Sequence, residues 1–149
     1  MPPGVRVDPY LDFRFYVEIE GILVAGFSDV SGLEIEVGTV EYEEGGRNGF
    51  THEKPDRTSY SHLELEKGLT DSRELIDWME SVAAGRIERK TVFLFLLDAR
   101  GLPKWGWQCE AAYPVRYSAP DLQADQGAVA VETLELAHRG LSRMEVGGG

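Results

Sequence analysis

The chain has 149 residues and a formal net charge of −11, which places it in the size range of one globular domain and argues against gripping nucleic acid or an anionic membrane. Its 42% hydrophobic and 10% aromatic content supplies a core, so a folded domain is expected. The single cysteine, Cys109, excludes an internal disulfide framework, and no apolar run approaches the roughly 20 residues of a membrane-spanning helix.

Met1 to Gly4 lacks the basic and apolar regions of a signal peptide, so a soluble protein made in the cytoplasm is expected. Leu11 to Glu20 then carries an apolar residue at every odd position and charges at most even ones, the period-two pattern of a strand with one wet face. Gly21 is read as a turn into a returning strand, Ile22 to Phe27. Alternation resumes in Leu33-Glu34-Ile35-Glu36-Val37 and changes phase at Gly38, which predicts a bulge or bend before Val40 and Tyr42. Residues 43–59 show no period and are dense in glycine, charge and turn formers; a long loop of a functional kind is expected.

Strand pattern returns from Tyr60 to Lys67, where Leu63 and Leu65 alternate with Glu64 and Glu66. Asp71, with Glu74 three residues later, offers an N-cap, and Gly85 suits a left-handed C-cap, predicting a helix over residues 72–84. On a helical wheel Leu75, Ile76, Met79, Val82 and Ala83 share one face, while Asp71, Glu74, Asp77 and Glu80 spread over the opposite arc. Thr91 to Leu97 is apolar on both alternating faces and reads as a central strand beneath that helix. A turn at 98–101 leads to a strand over 104–119, interrupted by Pro114, which suggests an edge or bulge. A loop over 120–127 and a last strand over 128–137 complete the pattern, with a flexible glycine-rich end over 142–149.

Catalysis would need a nucleophile, a base or metal ligands that converge, and the chain offers little of this. His52, His62 and His138 have no ligand spacing, and Cys109 between Gln108 and Glu110 has no adjacent histidine and reads as a structural thiol. Gly45-Gly46-Arg47-Asn48-Gly49 lacks the Lys-Ser/Thr ending of a phosphate loop, and no helix follows it. No catalytic residue, cofactor or metal is therefore expected. The pairs Glu34/Glu36 and Glu64/Glu66 fit a solvated sheet face, although like charges on neighbouring strands oppose pairing. The wall of a solvent-filled channel would account for them.

Several collinear segments point to one family. Asp8-Pro9-Tyr10 before Leu11-Asp12-Phe13-Arg14-Phe15, and Ala25-Gly26-Phe27-Ser28-Asp29-Val30-Ser31-Gly32-Leu33, open the series. Glu41-Tyr42-Glu43-Glu44-Gly45-Gly46, Lys67-Gly68-Leu69-Thr70-Asp71-Ser72 and Gly85-Arg86-Ile87-Glu88-Arg89-Lys90 follow, then Tyr113-Pro114-Val115-Arg116 and Glu132-Thr133-Leu134-Glu135-Leu136-Ala137-His138. Together they resemble, over about residues 8–141, the tail tube proteins of contractile phages and related contractile injection systems.

The resemblance implies a mainly β fold: an antiparallel β-sandwich or barrel with one flanking α-helix, forming a single tail tube domain over residues 1–149. It implies a homo-hexamer whose rings stack into an inner tube, with a sheath protein outside and baseplate or initiator proteins at one end. Cargo protein or DNA would pass through the lumen without specific binding, and the subunit alone would bind no membrane. The loop residues Glu44, Arg47, Asn48, Phe50, His52, Lys54 and Arg57 would meet a neighbouring subunit or ring. Glu34, Glu36, Glu64 and Glu66 would line the lumen, and Asp71, Glu74, Asp77 and Glu80 would face the sheath. Assembly would begin in the cytoplasm and end in a phage tail or injection particle. Two other readings share the sequence: a tube initiator at the baseplate, and a small-ligand-binding β-barrel module.

Overall fold

A computed structural model describes residues 14–22, 26–43, 51–69, 72–120 and 130–146. Its strands are β1 (Arg14–Ile19), β2 (Asp29–Ser31), β3 (Ile35–Glu43), β4 (Thr51–Tyr60) and β5 (Leu63–Gly68), followed by helix α1 (Glu74–Ala83). Then come β6 (Lys90–Leu97), β7 (Pro103–Ser118), β8 (Val131–Ala137) and β9 (Gly140–Met144).

Antiparallel pairing runs β1-β6-β7-β8-β5-β2, and β9 adds to β7. The ends of that path meet. Phe27 N donates to Phe15 O at 2.9 Å on one side, and Ser28 N donates to Glu66 O at 2.8 Å on the other, so the strands close into a barrel without a free edge at this seam. β7 is the common wall: residues 103–112 pair with β6, 106–110 with β9, and 113–118 with β8. Ala111, at φ 54, marks the corner between its two halves, and the register shift between Pro114 and Arg116 is the bulge that Pro114 suggested.

Period-two alternation becomes alternation of burial. Val17, Ile19, Leu63, Leu65, Val92, Leu94, Cys109, Ala112, Leu134 and Leu136 fill the interior. Helix α1 adds Leu75 and Trp78 to this core, and the Trp78 indole N–H donates to Glu88 O at 3.0 Å, tying the helix to the connector before β6. The helix packs chiefly on β7, not above β6 as its sequence position suggested. Its buried face is also rotated from the expected one: Ile76 and Met79 are half-buried and Ala83 is exposed, while Trp78 supplies the largest inward side chain. Arg73 occupies the N-cap position, and Gly85 takes the expected left-handed conformation at φ 90.

Two further expectations change. The loop expected over 43–59 is mostly strand, because residues 51–60 pair with β3 as a ribbon. Its period is hidden because both faces lie in solvent, and Pro55 is accommodated beside the bulge near Gly38, where β4 carries the extra residue. Ser142, Arg143 and Met144, expected to belong to a flexible end over 142–149, pair with β7 instead, and residues 147–149 lie outside the described residues.

The ribbon leaves the barrel through a close backbone approach. A Cβ on Gly32, which has φ 95, would lie 1.9 Å from His62 O. Gly32→Ala therefore adds positive-φ strain to a backbone clash and is expected to cost about 2–3 kcal/mol, read as a lower urea midpoint.

Candidate assembly surfaces

β3 and β4 pair only with each other among the described strands. Ile35, Val37, Val40 and Tyr42 are 54%, 47%, 40% and 44% exposed, so the ribbon carries half of the described large apolar side chains that face solvent. Strand alternation sets Ile35 and Val37 on one face and Val40 and Tyr42 on the other. On the second face Tyr42 stacks on His52 with centroids 5.3 Å apart, and Lys54 Nζ lies 5.5 Å from the Tyr42 centroid. His52 and Lys54 thus share one ladder, while Arg57 falls in the bulge opposite Gly38. They stand on a strand rather than a loop. Glu44, Arg47, Asn48 and Phe50 lie outside the described residues.

The ribbon root is held by side chains. Ser61 Oγ donates to Glu34 Oε2 at 2.9 Å, joining the two feet. His62 Nδ1 lies 2.6 Å from Glu135 Oε2 on β8, and His138 Nε2 lies 3.0 Å from Ser61 O. His138 Nδ1 sits 3.1 Å from Gly140 O, and its ring tilts against Tyr60 at a centroid distance of 5.4 Å. His62 and His138, which in the sequence showed only that they lack ligand spacing, are therefore the fastening between ribbon and barrel.

The four glutamates expected on one wall are divided. Glu64 and Glu66 lie on the outward face of β5, where Glu64 is opposite Ser31 and Glu135, and Glu66 is opposite Asp29 and Thr133. Glu34 and Glu36 belong instead to the foot of the ribbon, Glu36 opposite Ser59. Asp29 and Glu135, which the sequence reading missed, complete the acidic sheet face; Arg116 opposite Glu135 is its basic member. Their signal was present, since both fall at outward positions of alternating segments.

Glu74, Asp77 and Glu80 are exposed on α1, with Arg73 Nη2 3.3 Å from Asp77 Oδ1 and 3.8 Å from Glu80 Oε2. Asp71 lies outside the described residues. Inside the barrel, Lys67 Nζ lies 2.7 Å from Glu132 Oε1, and Tyr117 Oη donates to Glu132 Oε2 at 2.6 Å. Burial, with Glu132 beside it, pushes the Tyr117 hydroxyl up to about 12. Burial likewise pushes the Cys109 thiol up to about 12, which suits an inert core group. Among the described residues no three His, Cys, Asp or Glu side chains are grouped to hold a metal ion.

The described chain is thus a barrel with one flanking helix and a ribbon that turns apolar side chains to solvent. The family model for the T4-like virus tail tube protein gp19 matches residues 11–142. The chain belongs to this tail tube family. A chain of the PVC extracellular contractile injection system sheath-tube complex in its extended state is 24% identical, with TM-score 0.75 over 97% of this chain and 95% of that one. A chain of the PVC sheath/tube terminator in its extended state is 25% identical, with TM-score 0.77 over 95% and 99%. One from the six-fold symmetrised baseplate of the anti-feeding prophage is 24% identical, with TM-score 0.74 over 99% of each chain. No curated protein matches significantly in sequence. The expected mainly β, helix-flanked fold is the tail tube fold, and the ribbon, acidic sheet face and helix are surfaces of a tail tube subunit.

Proposed function

We propose that this tail tube protein forms six-fold rings that stack into the inner tube of a contractile particle, with β3 and β4 lying on neighbouring subunits. The observation that carries this reading is the ribbon, because a two-stranded ribbon with apolar side chains on both faces is marginal in water unless another surface covers it. The six-fold arrangement is taken from the anti-feeding prophage baseplate, and the sheath from the PVC sheath-tube complex. Seen this way, His52, Lys54 and Arg57 contact a neighbouring subunit along the ribbon, as do Glu44, Arg47, Asn48 and Phe50 in its 44–50 connection.

The acidic face of Asp29, Glu64, Glu66 and Glu135 lines the lumen in this reading, with Glu34 and Glu36 at its rim. Like charges along a conduit repel nucleic acid and acidic proteins, so cargo passes without adhering. No catalytic step is needed, and the subunit ends in a phage tail or an extracellular injection particle. Electron microscopy of the concentrated protein, alone and added to baseplates, tests the assembly. Six-fold rings or stacked tubes are expected; a monomer under both conditions would remove the reading in favour of a small barrel module.

The exposed acids of α1 face the sheath in this arrangement, and Asp71 precedes them in the sequence. Glu74→Lys with Asp77→Lys and Glu80→Lys is expected to leave tube formation intact and weaken sheath assembly about tenfold or more, read by co-assembly and negative-stain counting. Sheath assembly at the wild-type level would show that these residues form an ordinary solvated helix face.

A further inference from the structure

The β3–β4 ribbon carries opposite charge on its two faces. The extra residue of the bulge lies on β4, so alternation along β3 is unbroken, and each β3 residue shares its face with the β4 residue opposite it. One face carries, toward the far end, Glu41 and Glu53 directly opposite each other, with Thr39 and Pro55 next along the ladder. The other carries Tyr42 opposite His52 and Val40 opposite Lys54. Nearer the barrel the order reverses, with Ile35 and Val37 on the face of the two glutamates and Glu36 on the face of Lys54.

Glu41 and Glu53 are exposed, and neither has an ion-pair partner among the described residues. Like charges directly across a ladder oppose its pairing, so this pair is unfavourable in the isolated subunit. A cation supplied from outside would reverse that. Lys54, also exposed, stands on the opposite face over the Tyr42 ring and cannot reach them within its own ribbon.

We propose that the acidic face of one ribbon packs on the Lys54 face of the ribbon of a second copy, so that Glu41 and Glu53 of one subunit meet Lys54 of the next.

Charge complementarity selects both the occupant and its direction. Two acidic faces, or two Lys54 faces, would oppose like charges, so the contact joins unlike faces. A neighbour laid far end to root would set Glu41 and Glu53 against Glu36, so the two ribbons run parallel. Stacked sheets lie about 10 Å apart, a gap that a glutamate and a lysine side chain span together. Each copy offers one face of each kind, and such a head-to-tail contact closes into a ring where its rotation allows. The inference rests on the tube reading and names the surface that the ribbon meets there.

The test uses the full chain, alone or with baseplates, under whichever condition the wild type assembles, followed by sedimentation velocity and electron microscopy. Glu41→Lys with Glu53→Lys leaves cations on both faces, and Lys54→Glu leaves acids on both. Each chain is expected to assemble at least about tenfold less readily than wild type, and an equimolar mixture to recover to within about threefold, because alternating copies again join unlike faces. A six-membered ring admits that alternation. A mixture that fails to assemble overturns the proposal, and so does either variant that assembles as well as wild type; in both cases wild-type tubes leave the tube reading standing. A wild type that stays monomeric under both conditions removes the two together. If a charge reversal does not fold, Glu41→Gln with Glu53→Gln decides: it relieves the like-charge opposition, so the dilute subunit is expected to melt no lower than wild type while assembling about three- to tenfold less readily. Assembly of that variant at the wild-type level overturns the proposal.

Discussion

Lys67→Met is expected to lower the unfolding free energy by about 3–5 kcal/mol, the largest loss for any single substitution considered in this domain. Lys67 and Glu132 are 7% and 4% exposed as side chains, and their 2.7 Å contact lies between inward positions of β5 and β8. Methionine matches the length of the lysine stem but leaves the Glu132 carboxylate buried with, among the described residues, the Tyr117 hydroxyl alone to stabilise it. Lys67→Met with Glu132→Leu is expected to recover most of the loss, because exchanging the whole pair for apolar groups of similar volume is often neutral. Urea denaturation of both single variants and the double variant closes the cycle. A single variant within about 1 kcal/mol of wild type would show that water reaches the pair and screens it.

The same pair shows where sequence reading stops. Alternation in Leu63-Glu64-Leu65-Glu66-Lys67 locates the strand and its wet face, and the rule then makes position 67 inward, yet a lysine there reads as the end of the strand. Its partner lies 65 residues away on β8, a pairing that only the barrel order creates. Apolar patterning reports burial, so alternation found β1 and β5, a run apolar on both faces found β6, and β8 was found as the last strand, each with a face in the core. It missed β4, where Lys54-Pro55-Asp56-Arg57 belongs to a strand paired with β3, bulged at Asp56 and Arg57, that no described residue of the subunit buries. Helix α1 was legible in extent but not in rotation, because five aliphatic positions outweighed Trp78 on the wheel, while the indole's bond to Glu88 O fixes which side turns inward. The resemblance carried the family, but it could not show that Glu34 and Glu36 leave the acidic sheet for the ribbon foot.

Val40→Asp with Tyr42→Asp is expected to weaken assembly by at least about 100-fold while leaving the subunit folded. Both side chains are at least 40% exposed on β3, so their replacement removes little from the barrel core. Losing the Tyr42 stack on His52 and its contact with Lys54 should cost the isolated subunit no more than about 1 kcal/mol. In the proposed tube the same face would be desolvated, and two carboxylates placed there would be buried without partners on a subunit already carrying a net charge of −11. Sedimentation velocity across a concentration series, together with thermal melting of the dilute protein, separates the two effects. An unchanged melting temperature with lost rings places β3 at a subunit contact; rings that persist at wild-type concentration would require the ribbon's apolar face to serve something other than tube assembly.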